Sequence, residues 1–258
     1  MDTERRAIRR KGAAIIASRR NDYHSARLSW VVDKIPFGCA SLDQMFDGGL
    51  EPACVTLLYG EAGSGKTNLC LVMTRNIASL GMKVVYLDTE GISLERFKQI
   101  CGEEYEPLMR STLFFEANSF EEQEKMVDKA IKLAESNLDI GAIVVDSITL
   151  YYRLTSRQQE RSERKSLTSQ SLKLLEIAKK RNIPVLITSQ VYTDVEKDTI
   201  EPLGGHPLMH NAKTIIKLEK LGMGKRRAVV MKHRHLAEGG SAEFRLVQQG
   251  ISCEPAKK

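Results

Sequence analysis

Residues 59–69, "YGEAGSGKTNL", decide the fold. Gly60, Gly65, Lys66 and Thr67 stand in the order Gly-x-x-x-x-Gly-Lys-Thr, with Glu61, Ala62, Gly63 and Ser64 between the glycines and Asn68 after them. The run before, "CVTLLY" (54–59), is short and apolar, as a buried strand is. The run after, 67–80, puts Leu69, Val72, Met73, Asn76, Ile77 and Leu80 mostly at helical spacing. A glycine loop that leaves a strand and opens a helix is the setting of a P-loop. Its glycines let backbone N–H groups turn inward round a phosphate, and the helix N-terminus adds partial positive charge. In that arrangement Lys66 reaches the β- and γ-phosphates and the Thr67 hydroxyl holds Mg²⁺. Residues 60–68 are thus expected to bind ATP, with Mg²⁺ as its companion.

Such a loop needs a carboxylate on the metal side. "AIVVDS" (142–147) offers Asp146 at the C-terminal end of an apolar run, the edge where α/β sheets place their ligands. Thr67 and Asp146 are the expected Mg²⁺ residues. "VVYLDTEG" (84–91) ends a third strand with Asp88 and Glu90. A carboxylate there can position or deprotonate an attacking water, and Glu90 is the candidate. The competing reading is an ordinary acidic loop.

Further strands are expected at 83–88, 112–117, 141–146, 183–189, 212–219, 227–233 and 242–247. Several are apolar without alternation, which fits strands covered on both faces. Helical patterns lie between them. Ser119 precedes "FEEQEKMVDKAIKLAESN", whose first turn is acidic, an N-cap signature. "TSQSLKLLEIAKKRN" (168–182) closes with Lys and Arg, which suit a helix C-terminus. The fold class is α/β: a mostly parallel, twisted sheet flanked by helices. The last three strands lack intervening helices and should form an antiparallel C-terminal edge. The core is expected over residues 33–258.

Composition narrows the setting. The chain has 258 residues, 42% hydrophobic and 28% charged, ordinary for a globular protein. No apolar run approaches the roughly 20 residues of a membrane span, and the N-terminus lacks the apolar core of a secretory signal. The five cysteines are scattered and form no C-x-x-C. They suit a reducing, cytoplasmic setting and argue against zinc or a disulfide framework. Of the net charge of +6, residues 1–30 carry eight Arg and Lys against three acids, leaving the other 228 residues at +1. Residues 1–32 therefore read as a basic, flexible N-terminal extension.

Together the glycine loop, "YLDTEG" (86–91), "IVVDSITLYYR" (143–153), "VLITSQV" (185–191) and "PLGGHPLMHNAKTIIKLEK" (202–220) resemble the RecA family. The nearest likeness is to its archaeal and eukaryotic recombinase branch, and within it to a short archaeal paralogue without a helical N-terminal DNA-binding domain. The resemblance implies a RecA-like ATPase core. It implies catalytic roles for Lys66, for Glu90 as the water-activating glutamate, and for Gln190 as the glutamine that senses the γ-phosphate and couples it to DNA loops. It places Tyr152, Arg153, Arg157, Arg161, Arg164 and Lys165 in the first DNA loop. Residues from Tyr192 to about His210 fall in the second. In "MKHRHLAEGG" (231–240), Lys232 and Arg234 are similar to the Lys-x-Arg of KaiC-type and RecA-type enzymes. That likeness implies that they complete the ATP site of a neighbouring copy in a homo-oligomer.

Charge qualifies these expectations. Residues 153–165 carry five cations and two acids, which suits phosphate contact. Residues 194–201, "DVEKDTIE", carry four acids and one lysine, which does not suit strand exchange. His206 and His210 flank Pro207, which opposes a helix across them, and no third ligand is evident, so no zinc is expected there. "FGCA" (37–40) fits the family's Phe-x-x-Ala polymerisation peptide literally, but at the start of the core and not in a linker. The expected function is an ATP- and DNA-binding accessory protein of homologous recombination and repair. It would bind single- or double-stranded DNA, hydrolyse ATP weakly, and assist a main archaeal recombinase and repair proteins, with no membrane partner. The alternatives are a DNA-dependent ATPase with strand-exchange activity and a KaiC-like signalling ATPase that does not bind DNA.

Overall fold

The computed structural model describes residues 34–154, 160–194 and 199–253. The strands in chain order are β1 (Val55–Tyr59), β2 (Lys83–Asp88), β3 (Thr112–Glu116), β4 (Ile140–Asp146), β5 (Val185–Ser189), β6 (Val191–Asp194), β7 (Thr199–Pro202), β8 (Thr214–Gly222), β9 (Lys225–Lys232), β10 (Ser241–Val247) and β11 (Gly250–Ser252). Nine of them form one sheet in the order β3-β2-β4-β5-β1-β8-β9-β10-β11, while β6 and β7 make a separate antiparallel ribbon. Pairing is parallel from β3 through β8 and antiparallel from β8 to β11. The expected mostly parallel sheet with an antiparallel C-terminal edge is what forms.

The apolar strands are buried on both sides, and successive residues serve opposite faces. Val55, Leu57 and Tyr59 of β1 join one cluster, with Val85, Leu87, Ile143, Val145, Val185 and Ile187. Leu58, Val84, Tyr86, Val144, Leu186 and Ile216 join the other. The first face is covered by the helices Phe120–Ser136 and Glu160–Arg181, the second chiefly by Lys66–Ser79 and Leu94–Cys101. Each fully buried Leu, Ile or Val contributes about 1.5–3 kcal/mol to this packing. Ser119 caps its helix as expected: its hydroxyl accepts from Glu122 N at 3.1 Å, and Glu122 returns a carboxylate to Asn118 N at 2.8 Å.

Three local expectations need correction. The helix expected at 168–182 spans Glu160–Arg181; its first turns, "ERSERK", are polar and carry no apolar stripe by which the sequence could show them. A helix, Gly205–Asn211, does span His206 and His210. Pro207 is its third residue, in the first turn, where a missing N–H costs no helical bond. Cys39 and Cys253 are joined as a disulfide across a sequence separation of 214 residues. The end of β11 returns beside the start of the Ala40–Met45 helix, a proximity that scattered cysteine spacing could not reveal. Phe37 of "FGCA" is 1% exposed and packs on Phe46 in this chain's own core. The expected extension, residues 1–32, and Arg157 of the first loop lie outside the described residues. Among the described residues no helix is long and apolar enough to cross a membrane.

Candidate functional site

The glycine loop leaves the C-terminal end of β1 and enters the Lys66–Ser79 helix. Gly60, Gly63 and Gly65 all have positive φ, of 155°, 73° and 103°. Gly60 is required for a second reason: a Cβ there would lie 2.3 Å from the carbonyl oxygen of Leu218 on β8. The helix has Gly65 as its N-cap and no side-chain cap, so its first N–H groups are left for a ligand. The Ser64 hydroxyl is buried without a hydrogen-bond partner. An uncapped helix start, a positive-φ cradle and an orphaned buried hydroxyl fit a phosphate group. Lys66, 8% exposed, folds back over the loop and donates to the carbonyls of Gly60 (2.9 Å) and Glu61 (3.2 Å). Burial lowers its pKa, opposed by the charges of Glu90 and Asp146.

Asp146 ends β4 at the same edge and is 2% exposed. Its carboxylate accepts from Thr188 Oγ1 at 2.6 Å and Tyr86 Oη at 2.9 Å, and Thr67 lies close enough to favour its charged form. Burial raises its pKa, only partly offset by these bonds. A buried carboxylate of this kind is a natural partner for a cation. Thr67 and Asp146 are therefore brought together as a divalent-ion pair would require. The Asp146–Ser147 peptide is cis.

Asp88 and Glu90 separate in role. Asp88, 4% exposed, binds the backbone N–H groups of Glu90, Gly91 and Ile92 and so shapes the turn. Glu90 stays exposed, and its Oε1 accepts from Gln190 Nε2 at 3.0 Å. Gln190 follows β5, with its backbone N–H held by Thr149 Oγ1 at 3.0 Å. Its amide oxygen accepts from Arg153 Nη1 at 3.1 Å. The glutamine thus bridges Glu90 and the first residues of the first loop. Arg161, Arg164 and Lys165 are exposed along the start of the Glu160–Arg181 helix. Tyr152 is half-buried and packs on the core with Tyr151. The expected second-loop segment forms the β6–β7 ribbon, where Tyr192 pairs with Glu201; Glu196, Lys197 and Asp198 lie outside the described residues.

Lys232 and Arg234 sit at the other edge of the sheet. Lys232 pairs with Ile215 at the start of β8, whereas Arg226, at the opposite end of β9, pairs with Lys220. Lys232 Nζ donates to the carbonyls of Met209 (2.9 Å), Ala212 (2.8 Å) and His210 (3.4 Å), closing the C-terminus of the Gly205–Asn211 helix. Arg234 binds Glu51, a carboxylate 5% exposed just ahead of β1, with its nearer nitrogen at 3.0 Å. Glu51, His233 and His235 have ligand atoms within 4.8 Å of one another. However, His233 Nδ1 accepts from the N–H groups of His235 and Leu236, which leaves the ring proton on Nε2, facing Glu51. With Arg234 on the same carboxylate, the group is an ion-pair cluster and not a ready ligand set.

Some contacts at the loop had no signal in the motif pattern. Arg226 donates to the Gly63 carbonyl through Nε and Nη2 at 3.0 and 2.8 Å, and Lys220 pairs with Glu61 at 3.1 Å. Arg96 holds Asn68 Oδ1 at 2.6 and 2.8 Å and reaches the Val247 carbonyl at 2.7 Å. The antiparallel edge therefore braces the glycine loop from strands remote in sequence.

The sheet order and the placement of loop, Asp146 and Glu90 at one edge define a protein of RecA-like fold. The Rad51 family matches residues 29–254, and the chain belongs to that family. It is 42% identical over 223 residues to the DNA repair and recombination protein RadB of Methanococcoides burtonii, covering 86% of this chain and 98% of that protein. RadB of Thermoplasma volcanium is 41% identical over 223 residues, covering 86% and 94%. A crystal structure of the RadB recombinase superposes with a TM-score of 0.73 at 34% identity, covering 86% of this chain and all of that one.

Proposed function

We propose that this chain binds ATP and Mg²⁺ at the glycine loop, binds DNA through its first loop, and acts as an accessory factor in recombination and repair. The observation that carries the nucleotide reading is the Thr67–Asp146 pair set beside Lys66, with Ser64 Oγ buried and unpartnered next to it. On binding, Lys66 would exchange two neutral carbonyls for phosphate oxygens. Thr67 and Asp146 would hold Mg²⁺, which supplies charge neutralisation at the phosphates. Glu90 would orient the attacking water and take its proton. Turnover is expected to be weak while Gln190 occupies Glu90 Oε1. The recombination role is supported by the names of the similar RadB proteins and by the exposed cations at Arg161, Arg164 and Lys165. Lys232 and Arg234 lie at the edge of the sheet away from the loop, so any part they play in ATP chemistry is in trans, toward a second copy.

The test is ATP turnover with and without single-stranded DNA, beside Lys66→Ala. Weak turnover that the variant loses, together with DNA binding that falls steeply with salt, is the expected result. Equal inertness of both proteins with no nucleotide bound sinks the reading. Strong stimulation by DNA with joint-molecule formation would replace it with a strand-exchange ATPase. No DNA binding at low salt would replace it with a signalling ATPase.

A further inference from the structure

We propose that Arg226 is a positioning residue that locks the Gly63–Ser64 peptide of the glycine loop with its N–H turned toward the ligand. This rests on the nucleotide-binding reading above and adds to it a residue from outside the motif. The guanidinium closes on one oxygen: Nε and Nη2 donate to the Gly63 carbonyl at 3.0 and 2.8 Å.

The C=O and N–H of a trans peptide point to opposite sides. Holding the Gly63 carbonyl on the outside of the loop therefore holds the Ser64 N–H on the inside. That N–H donates to the Glu61 carbonyl at 3.1 Å, the same oxygen that Lys66 Nζ takes at 3.2 Å. The amide and the ammonium are thus aimed at one place, where a phosphate would take both. A flipped peptide would aim a carbonyl there instead, against the charge of the phosphate.

Gly63 makes such a flip easy. It has a φ of 73°, is exposed, and a Cβ built on it would meet no atom within 4 Å. Glycine takes either sign of φ at little cost. The inner bond to Glu61 is a weak hold, because it joins two neutral groups in an exposed turn. It is also the bond that a phosphate must displace. Lys220 reaches the loop at 3.1 Å, but through the Glu61 side chain, which does not fix the 63–64 peptide. The Arg226 contact is the hold that binding leaves in place. Arg226 is itself anchored within β9, paired with Lys220 on β8 and Phe244 on β10, and its Nη1 donates to the Lys225 carbonyl at 2.8 Å. A charged donor on the carbonyl also polarises the peptide and strengthens the N–H on its far side.

A loop that is ready only part of the time binds its ligand more weakly by that fraction. In the full chain, Arg226→Met should weaken binding of ADP with Mg²⁺ about fivefold by calorimetric titration, the scale of one hydrogen bond's net worth. With ¹⁵N-labelled serine, the Ser64 amide signal is assigned by its loss in Ser64→Ala. In nucleotide-free Arg226→Met that amide should exchange with solvent several-fold faster, as its N–H turns outward. Arg227→Met removes the same charge one residue on, from a side chain that pairs with Glu243 at 2.9 Å and Glu219 at 3.9 Å, and should leave both readouts unchanged. Arg226→Lys keeps the charge without the two-nitrogen grip and should fall between. If Arg226 serves only the hairpin, Arg226→Met lowers the urea midpoint but leaves ADP affinity and Ser64 exchange as they were, and the proposal is overturned. Equal weakening by Arg227→Met would reduce the effect to net charge and overturn it too. Should Arg226→Met be too unstable to titrate, Arg226→Lys decides: wild-type affinity with unchanged Ser64 exchange overturns the lock. A wild type that binds no ADP defeats the nucleotide reading and the lock with it. A wild type that binds ADP no better than Arg226→Met defeats the lock alone.

Discussion

Lys66 and Arg234 lie beyond opposite ends of β1, a five-residue strand roughly 16 Å long at the usual rise, and differ in what holds them. Lys66 is nearly buried yet rests on two neutral carbonyls. Arg234 has 44% of its side chain exposed yet is tied to a buried carboxylate. A cation on carbonyls can trade them for phosphate oxygens at little cost, because both partners are neutral and the new ones are charged. A cation on Glu51 gives up a charged partner when it leaves, and the buried carboxylate is then left to the weaker contacts of His235 and Lys34. Exposure is thus a poor guide to availability here, and the identity of the current partner is the better one.

Substitutions at the two ends test this difference. Lys66→Ala should weaken nucleotide binding at least about 100-fold, near 2.7 kcal/mol, and shift unfolding stability by no more than about 1 kcal/mol. Calorimetric titration and urea unfolding measure the two effects. A stability loss larger than the binding loss would reverse the comparison. At the far end Glu51→Leu should destabilise by about 2 kcal/mol, the worth of hydrogen bonds to charged groups after partial rehydration of the exposed Arg234. Nucleotide binding to the isolated chain should not change. Arg234→Ala should cost about 1 kcal/mol or less, because Glu51 keeps His235 at 3.5 Å and Lys34 at 4.0 Å. If Arg234 also serves a second copy, that variant lowers turnover in an assembled form and leaves nucleotide binding to the monomer unchanged. Unchanged turnover in the assembled form would confine Arg234 to its structural pairing.

Much of this arrangement was legible in the sequence, and the illegible part has a physical cause. The glycine loop, Asp146 and Glu90 are local patterns: each needs only a strand end and a few residues. The eight expected strands are apolar runs and appear close to where they were expected. The contacts that tune the site are not local. Arg226 on Gly63, Arg96 on Asn68 and Arg153 on Gln190 join residues far apart in sequence, and only the sheet order brings them together. The β6–β7 ribbon was missed because two four-residue strands give too little alternation to read. The Lys232-x-Arg234 pattern pointed to a trans role, but not to Glu51, which lies 183 residues before Arg234.

The smallest effect isolates the histidine in that far cluster. His233 has a side chain 1% exposed, faced by Glu51, His235, Arg234 and Lys34, with Asp47 beyond His235. Burial pushes its pKa below the ordinary 6.5, and Glu51 only partly counters this. The unfolded chain therefore takes up the proton first as the solution is acidified. Stability should be unaffected above about pH 6.5 and should fall below it, until the folded pKa is passed. One group limits the slope to about 1.4 kcal/mol per pH unit. Asp47 does not confuse the window, since Lys34 holds its pKa below the usual 3.8. Urea midpoints at pH 7.5 and 5.5 measure the decline, and His233→Gln should flatten it. A decline that survives the substitution would assign the acid sensitivity elsewhere. A midpoint that rises on acidification would mean that Glu51 governs His233 more than burial does, making the cluster at the far edge a charged clamp and not a neutral one.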